Sequence, residues 1–214
     1  MDSWARWRNI GRRGASGRPA LLAVATINLF NYVFGALFLL YASRTLHLSA
    51  ATIGLILGLG TTGTITGALV TGRISRRLGV GRMLALGTVL FPAPLLLVPL
   101  AGGSNPIVIG LLLLSEVGSG FGVMLLDVAF GELGTASLPD DIRARVNGAL
   151  SLVNYGIRPI GALVGGALPA LIGLHATIWV GAAGALLGCL WLLPSPIPAI
   201  RSVEAMAAPV GMQD

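Results

Sequence analysis

The chain has 214 residues, of which 55% are hydrophobic and only 10% charged, against the roughly 25% charged residues of a soluble domain. That leaves too little polar surface to coat a water-soluble particle, so the solvent implied is lipid. A formal charge of +6 could suggest nucleic acid, but all fourteen basic residues are arginines and all but Arg158 are gathered in short segments between or beside the apolar runs, which fits membrane topology and not a nucleic-acid face.

A spanning helix needs about 20 mainly apolar residues to cross ~30 Å of hydrocarbon. Residues 1–19 precede any such run, and "WARWRNIGRR" alternates tryptophan with arginine, as suits a basic segment lying on the inner membrane surface. Spans are predicted at 20–42, 50–72, 83–101, 107–131, 146–172 and 176–194, followed by a tail at 195–214. The joints between them carry "SRTLHLS", "RISRRLGVGR", "GGSNP", "ELGTASLPDDIRAR" and "GLHA", and "PSPIP" ends the last helix because proline cannot continue the backbone ladder. The first span is too long for a cleaved signal peptide, and more spans follow it. Cys189 lies inside the sixth span, so no disulfide framework exists.

Arginine placement sets the orientation. With the amino terminus inside, twelve arginines fall on the inner side (Arg6, Arg8, Arg12, Arg13, Arg18, Arg73, Arg76, Arg77, Arg82, Arg143, Arg145 and Arg201) and only Arg44 outside. Both termini are therefore expected in the cytoplasm, with the chain in the plasma membrane. Tyr41 and Trp179 then fall near the outer boundary and Trp191 near the inner one, as interfacial aromatics should.

An internal repeat is written in two stretches, "GALVTGRISRRLG" at 67–79 and "GALVGGALPALIG" at 161–173. At a shift of 94 residues, Gly67, Ala68, Leu69, Val70, Gly72 and Gly79 recur as Gly161, Ala162, Leu163, Val164, Gly166 and Gly173, and Gly54 recurs as Gly148. The first copy ends in an inner arginine loop and the second in an outer turn, three spans later, so the repeats are inverted in the membrane. That is a transporter architecture. Gly54, Gly58, Thr62 and Thr66 recur every four residues, as do Gly161 and Gly165, a spacing at which small residues let helices approach closely.

"GRISRRLGVGR", 72–82, resembles the cytoplasmic-loop signature of the major facilitator superfamily, which joins the second and third helix of a half. Gly72, Ile74, Arg77, Gly79 and Arg82 match it, while Arg76 stands where the signature has aspartate. "LPDDIRARVNGAL" is similar to the loop before the eleventh helix in the drug- and siderophore-exporter branch. The resemblance implies an all-α integral membrane fold of six helices in two inverted three-helix repeats, half of the family's twelve. It further implies that residues 1–19 correspond to the central linker, that a second transporter half or a homodimer completes the protein, and that small molecules are carried.

Polar residues fall on three helix faces. Asn147, Ser151, Asn154 and Arg158 are spaced four, three and four apart, Glu116, Gly120, Val123 and Asp127 repeat that spacing, and Asn28, Asn31 and Tyr32 make a shorter stripe. Three such faces are expected to converge on a cavity. Counting ~1.5 Å per residue, Arg158 and Glu116 lie at nearly the same depth and are expected to pair, as a structural salt bridge or as part of a substrate or proton pathway. A charge at the helix centre costs ~2.5–3.5 kcal/mol on insertion scales, which pairing would offset. Asp127 lies nearer the inner end, within expected reach of Arg73, Arg76 or Arg77. The resemblance implies a cytoplasmic gate latched by Asp127 or Glu132, with Gly72 and Gly79 in the same loop.

Pro159 suggests a bend near midplane, and Pro92, Pro94 and Pro99 suggest kinks in a peripheral third helix. "GSGFG" at 118–122 looks like a phosphate loop but sits in an apolar helix with no preceding strand, which makes it a false match. His47 and His175 have no carboxylate or cysteine partners in the sequence, so no metal and no cofactor is expected. No serine–histidine, paired-aspartate or HExxH arrangement lies in the spans, which argues against an enzyme. The expected function is secondary transport, a proton-coupled efflux of small amphipathic compounds implied by the resemblance. The alternative is a truncated, non-transporting half.

Overall fold

The computed structural model describes residues 3–136, 156–193 and 195, with side chains described for 19–132, 156–193 and 195. Those residues are helical apart from short turns and joints, and no strand occurs among them. Helix α1 (Ser3–Arg44) is unbroken from the basic amino-terminal segment into the first span, so the boundary expected at residue 19 is a change of composition within one helix. Helix α2 (Ala50–Leu78) starts where the Ser49 hydroxyl accepts from the Thr52 backbone N–H. The third span, α3 (Val80–Leu100), follows directly, and α4 (Asn105–Ala136) returns. The last two are α5 (Gly156–Ile172) and α6 (Leu174–Leu192), the latter tightening to a 3-10 turn over Leu187–Leu192.

Five of these are long and apolar enough to cross a membrane: Pro19–Arg44, Ala50–Leu78, Val80–Leu100, Asn105–Glu132 and Leu174–Leu192. The remaining expected span, 146–172, is described only from residue 156 onward, as the shorter apolar helix Gly156–Ile172. The hydroxyls of Thr61, Thr62, Thr66 and Thr71 on α2 are satisfied within the helix, as lipid requires. Thr61 donates to the Gly58 carbonyl at 2.6 Å and Thr62 to the Leu59 carbonyl at 2.7 Å.

The prolines kink α3 as expected: the α-helix stops at Leu90, Phe91 and Pro92 form a turn, and Ala93–Leu96 is a 3-10 helix. The expectation that this helix is peripheral fails within this chain. Half of its most apolar window is buried, the largest share of the five spans, because it packs along α4 on both sides of the break, from Gly87 against Leu126 to Pro94 against Gly118. "GSGFG" explains how. Gly118 faces the Pro94 ring and Gly122 faces the Leu90–Phe91 backbone, while Gly120 on the other side faces Thr64 of α2. The glycine run is a helix notched on two sides for its neighbours.

Contacts sort the helices into two groups. Helices α2 and α3 pack on α4, whereas α5 and α6 pack on α1. The two groups use equivalent contacts. Gly67 of α2 abuts Phe121 and Met124, and Gly161 of α5 abuts Leu29 and Tyr32, the same spacing of three on the partner. Gly87 meets Leu126 as Gly181 meets Phe34, and Gly122 meets Leu90 as Phe30 meets Gly184. Gly79 and Gly173, which occupy matching positions of the sequence repeat, share one backbone conformation (φ 87°, ψ 156° and φ 81°, ψ 162°) at a helix-to-helix turn. Only glycine adopts that region without strain.

The stripe expected to pack α2 does not. Nothing lies within 4 Å of a Cβ placed on Gly54 or Gly58. The face that packs is Gly60, Gly63 and Gly67, where a Cβ on Gly63 would land on the Val117 carbonyl. The companion expectation, Gly161 and Gly165, does describe a packed face, against Leu29, Tyr32 and Val33 of α1. At the end of the bundle away from the arginine loop, Tyr41 is buried and stacks on His175 with ring centroids 5.9 Å apart. The His175 Nε2 lies 3.0 Å from the Pro99 carbonyl, so α1, α3 and α6 meet there. Tyr41 is thus a core ring and not a lipid-facing anchor.

Candidate functional site

A cavity of about 430 Å³ opens between α1 and the α2–α4 pair. Four positions of the expected faces line it: Asn31 from α1, and Glu116, Gly120 and Val123 from α4. Their convergence follows from helix periodicity, since Glu116, Gly120 and Val123 share one face. The α2 wall is Leu57, Gly60, Thr61 and Thr64. Gly60 is what admits the acid: a Cβ there would sit 2.7 Å from the Glu116 Cβ. Eleven residues into α4, Glu116 lies roughly 16 Å from its start at ~1.5 Å per residue, near the middle of the span.

Several lining residues carry no signal of their own in the sequence. Ser119 looks like an ordinary helix residue, and Phe34, Phe38 and Phe91 read as core. A clue was available: Asn31, Phe34 and Phe38 are spaced three and four apart and so share a face with the polar residue. Phe34 and Phe38 stack at 5.7 Å between centroids.

Arg158 is elsewhere. Its guanidinium carbon lies 5.3 Å from the centroid of the Tyr32 ring. Glu116 makes no hydrogen bond or ion pair among the described residues, so the expected Glu116–Arg158 pair is not formed. Depth alone suggested it, but rotation about each helix axis decides it. Gly161 seats α5 on α1 and directs Arg158 toward Tyr32, whereas Gly60 turns the Glu116 face toward α2. Asp127 lies eleven residues further along α4, roughly 16 Å toward the arginine-loop end at ~1.5 Å per residue. Asn28 is half-buried and bonded. Ser151 and Asn154 lie outside the described residues, as does Tyr155, whose carbonyl Pro159 would leave without its helical donor.

At that end the geometry differs from the expected latch. Arg73, Arg76 and Arg77 are exposed, and among the described residues none of them bonds Asp127. The link across the helices is instead Ser75, whose hydroxyl donates to Glu132 Oε2 at 3.2 Å and ties the carboxy-terminal part of α2 to that of α4. Gly79 makes the turn into α3, and Gly72 is exposed with nothing within 4 Å of a Cβ placed on it.

The family model described as Major Facilitator Superfamily matches residues 20–211. No curated protein matches the chain.

Proposed function

The chain belongs to the major facilitator superfamily, a family of membrane transporters, and from that premise we propose that it is a secondary active transporter that couples proton movement to efflux of small amphipathic compounds through the cavity around Glu116. The observation that carries the reading is that cavity: three helices bring polar groups to mid-span around one carboxylate. A mid-membrane acid is costly to keep charged, so Glu116 gains by taking a proton or a substrate in turn, which is the exchange that coupled efflux requires. The helix arrangement suits alternating access by two inverted three-helix repeats. Supporting this are the equivalent contacts of α2 with α4 and α5 with α1, and the matching turns at Gly79 and Gly173.

The protein works with a second half, either another chain or a second copy. The cavity opens past Gly35, Leu39, Leu57 and Thr61, all exposed, and a charged cavity opening onto acyl chains would be unstable. Arginine asymmetry supports cytoplasmic termini in a plasma membrane. Asp127, Arg158 and Tyr32, with Ser75 and Glu132 beyond them, then belong to the inner gate, as do Arg73, Arg76, Arg77, Gly72 and Gly79. Asn28, Ser151 and Asn154 extend the pathway inward.

The test is to measure oligomeric state and flux on one purified sample in proteoliposomes. A dimer with proton-gradient-driven dye efflux, lost in Glu116→Gln, is the expected result. A dimeric sample without gradient-driven flux of any compound would overturn the proposal. A monomer without flux would favour the non-transporting half, with its partner to be sought on another chain.

A further inference from the structure

We infer that the arginine-loop end of α2 seats an anionic phospholipid, an inference that goes beyond the transport reading and does not depend on it. Charge is the first ground. Arg73, Arg76 and Arg77 in the last two turns of α2 and Arg82 in the first turn of α3 are exposed. None of the four makes a hydrogen bond or ion pair among the described residues. The adjoining helix ends give no relief, since the partial charges of the α2 carboxy terminus and the α3 amino terminus have opposite sign and cancel. Glu132 reaches Ser75 in this segment and leaves the arginines in excess. Arg76 stands where the loop signature has aspartate, so the excess belongs to this chain and not to the signature.

The face that carries the arginines is the second ground. Leu55, Leu59, Thr62, Thr66, Leu69 and Arg73 follow the alternating four-three spacing of one helix face, and all six are exposed. The packed face is a different one, Gly60, Gly63 and Gly67. Leu57, at the cavity, lies roughly 160° around the helix from both Leu55 and Arg73 at 3.6 residues per turn. A second half docked over the cavity therefore leaves this face to lipid. From Leu55 to Arg77 the helix rises roughly 33 Å at ~1.5 Å per residue, close to the ~30 Å of a hydrocarbon core, which sets the arginines at headgroup level. The hydroxyls of Thr62 and Thr66 are satisfied inside the helix, so the rest of the face is apolar in effect. Phosphate oxygens can bridge the guanidinium groups while acyl chains run past Leu69. A soluble phosphate would gain nothing from Leu69, which is 70% exposed.

The test sets phosphatidylglycerol against phosphatidylcholine with the same acyl chains, added together to the full chain in detergent, with bound lipid counted by native mass spectrometry. Phosphatidylglycerol should bind at least about tenfold more tightly. Each arginine at an anionic surface contributes about fivefold, so Arg73→Gln with Arg76→Gln should weaken its binding roughly 25-fold. Arg73→Lys with Arg76→Lys should keep the preference, with helical circular dichroism unchanged in both pairs. Equal binding of the two lipids, or a preference that survives the glutamine pair, overturns the inference. Glycerophosphoglycerol, the same headgroup without acyl chains, should bind at least about tenfold more weakly than the lipid; equal binding would mean a soluble-phosphate site instead. A cysteine at Leu69, in a Cys189→Ala background, should not cross-link two chains, and a cross-linked dimer would place a second copy on this face and sink the lipid seat.

Discussion

Two glycines five residues apart on α2 make a matched pair, because the same substitution meets opposite surroundings. At Gly58 an alanine Cβ enters open space, so the change should give only the helix-propensity gain of about 1 kcal/mol. At Gly63 the same Cβ falls on the Val117 carbonyl, with the Val117 carbonyl carbon and Cα at 2.7 and 2.8 Å. Backbone cannot step aside as a side chain can, so α2 and α4 must separate. Overpacking of that kind costs about 1–3 kcal/mol. The two variants should therefore differ by roughly 2–4 kcal/mol, Gly58→Ala being the more stable. At about 2–4 °C per kcal/mol for a chain of this size, the gap in melting temperature is roughly 5–15 °C. Thermal unfolding in one detergent, followed by circular dichroism, reads it directly. Equal melting temperatures would refute the packing argument. The reverse order would mean that the Gly54–Gly58 stripe, and not Gly60–Gly63–Gly67, is the covered face.

Arg158→Ala and Tyr32→Ala should be coupled in a double-mutant stability cycle by about 0.5–2 kcal/mol, the range of a cation–π contact. Arg158→Ala with Glu116→Ala should instead add to within ~0.5 kcal/mol, and a larger coupling would reinstate the pair that depth suggested. Ser75→Ala removes the hydroxyl that reaches Glu132. At 3.2 Å that bond is long, so the loss is about 1 kcal/mol, the typical net value and below the ~1.5–3 kcal/mol of a good bond to a charged group. A cysteine at buried Thr71, in a Cys189→Ala background, should then label about fivefold faster from the arginine-loop side, and unchanged labelling would count against a closing role for Ser75.

Much of the fold was legible in the chain because lipid imposes a one-dimensional rule: each span must be long and apolar enough on its own. That rule found five of the six expected spans, and the proline breaks in α3 followed from local backbone chemistry. Glu116 and Asn31 could be placed in a cavity because a helix face is also a local property. Partnership was not local. Glu116 and Arg158 looked level by counting residues, yet which way each faces depends on where Gly60 and Gly161 let neighbouring backbones approach. The aromatic lining was hidden for a similar reason, since a phenylalanine on an apolar helix looks alike whether it meets core, lipid or cavity. Gly58 and Gly63 make the same point most plainly. Each is a glycine in an apolar helix, and periodicity favoured the wrong one, because only the neighbouring helix decides which face is covered. Sequence alone determined that this chain is a bundle of membrane-spanning helices carrying buried polar groups. The tertiary structure decided which of those groups meet, because rotation about each helix axis is set by contacts between residues far apart in the chain.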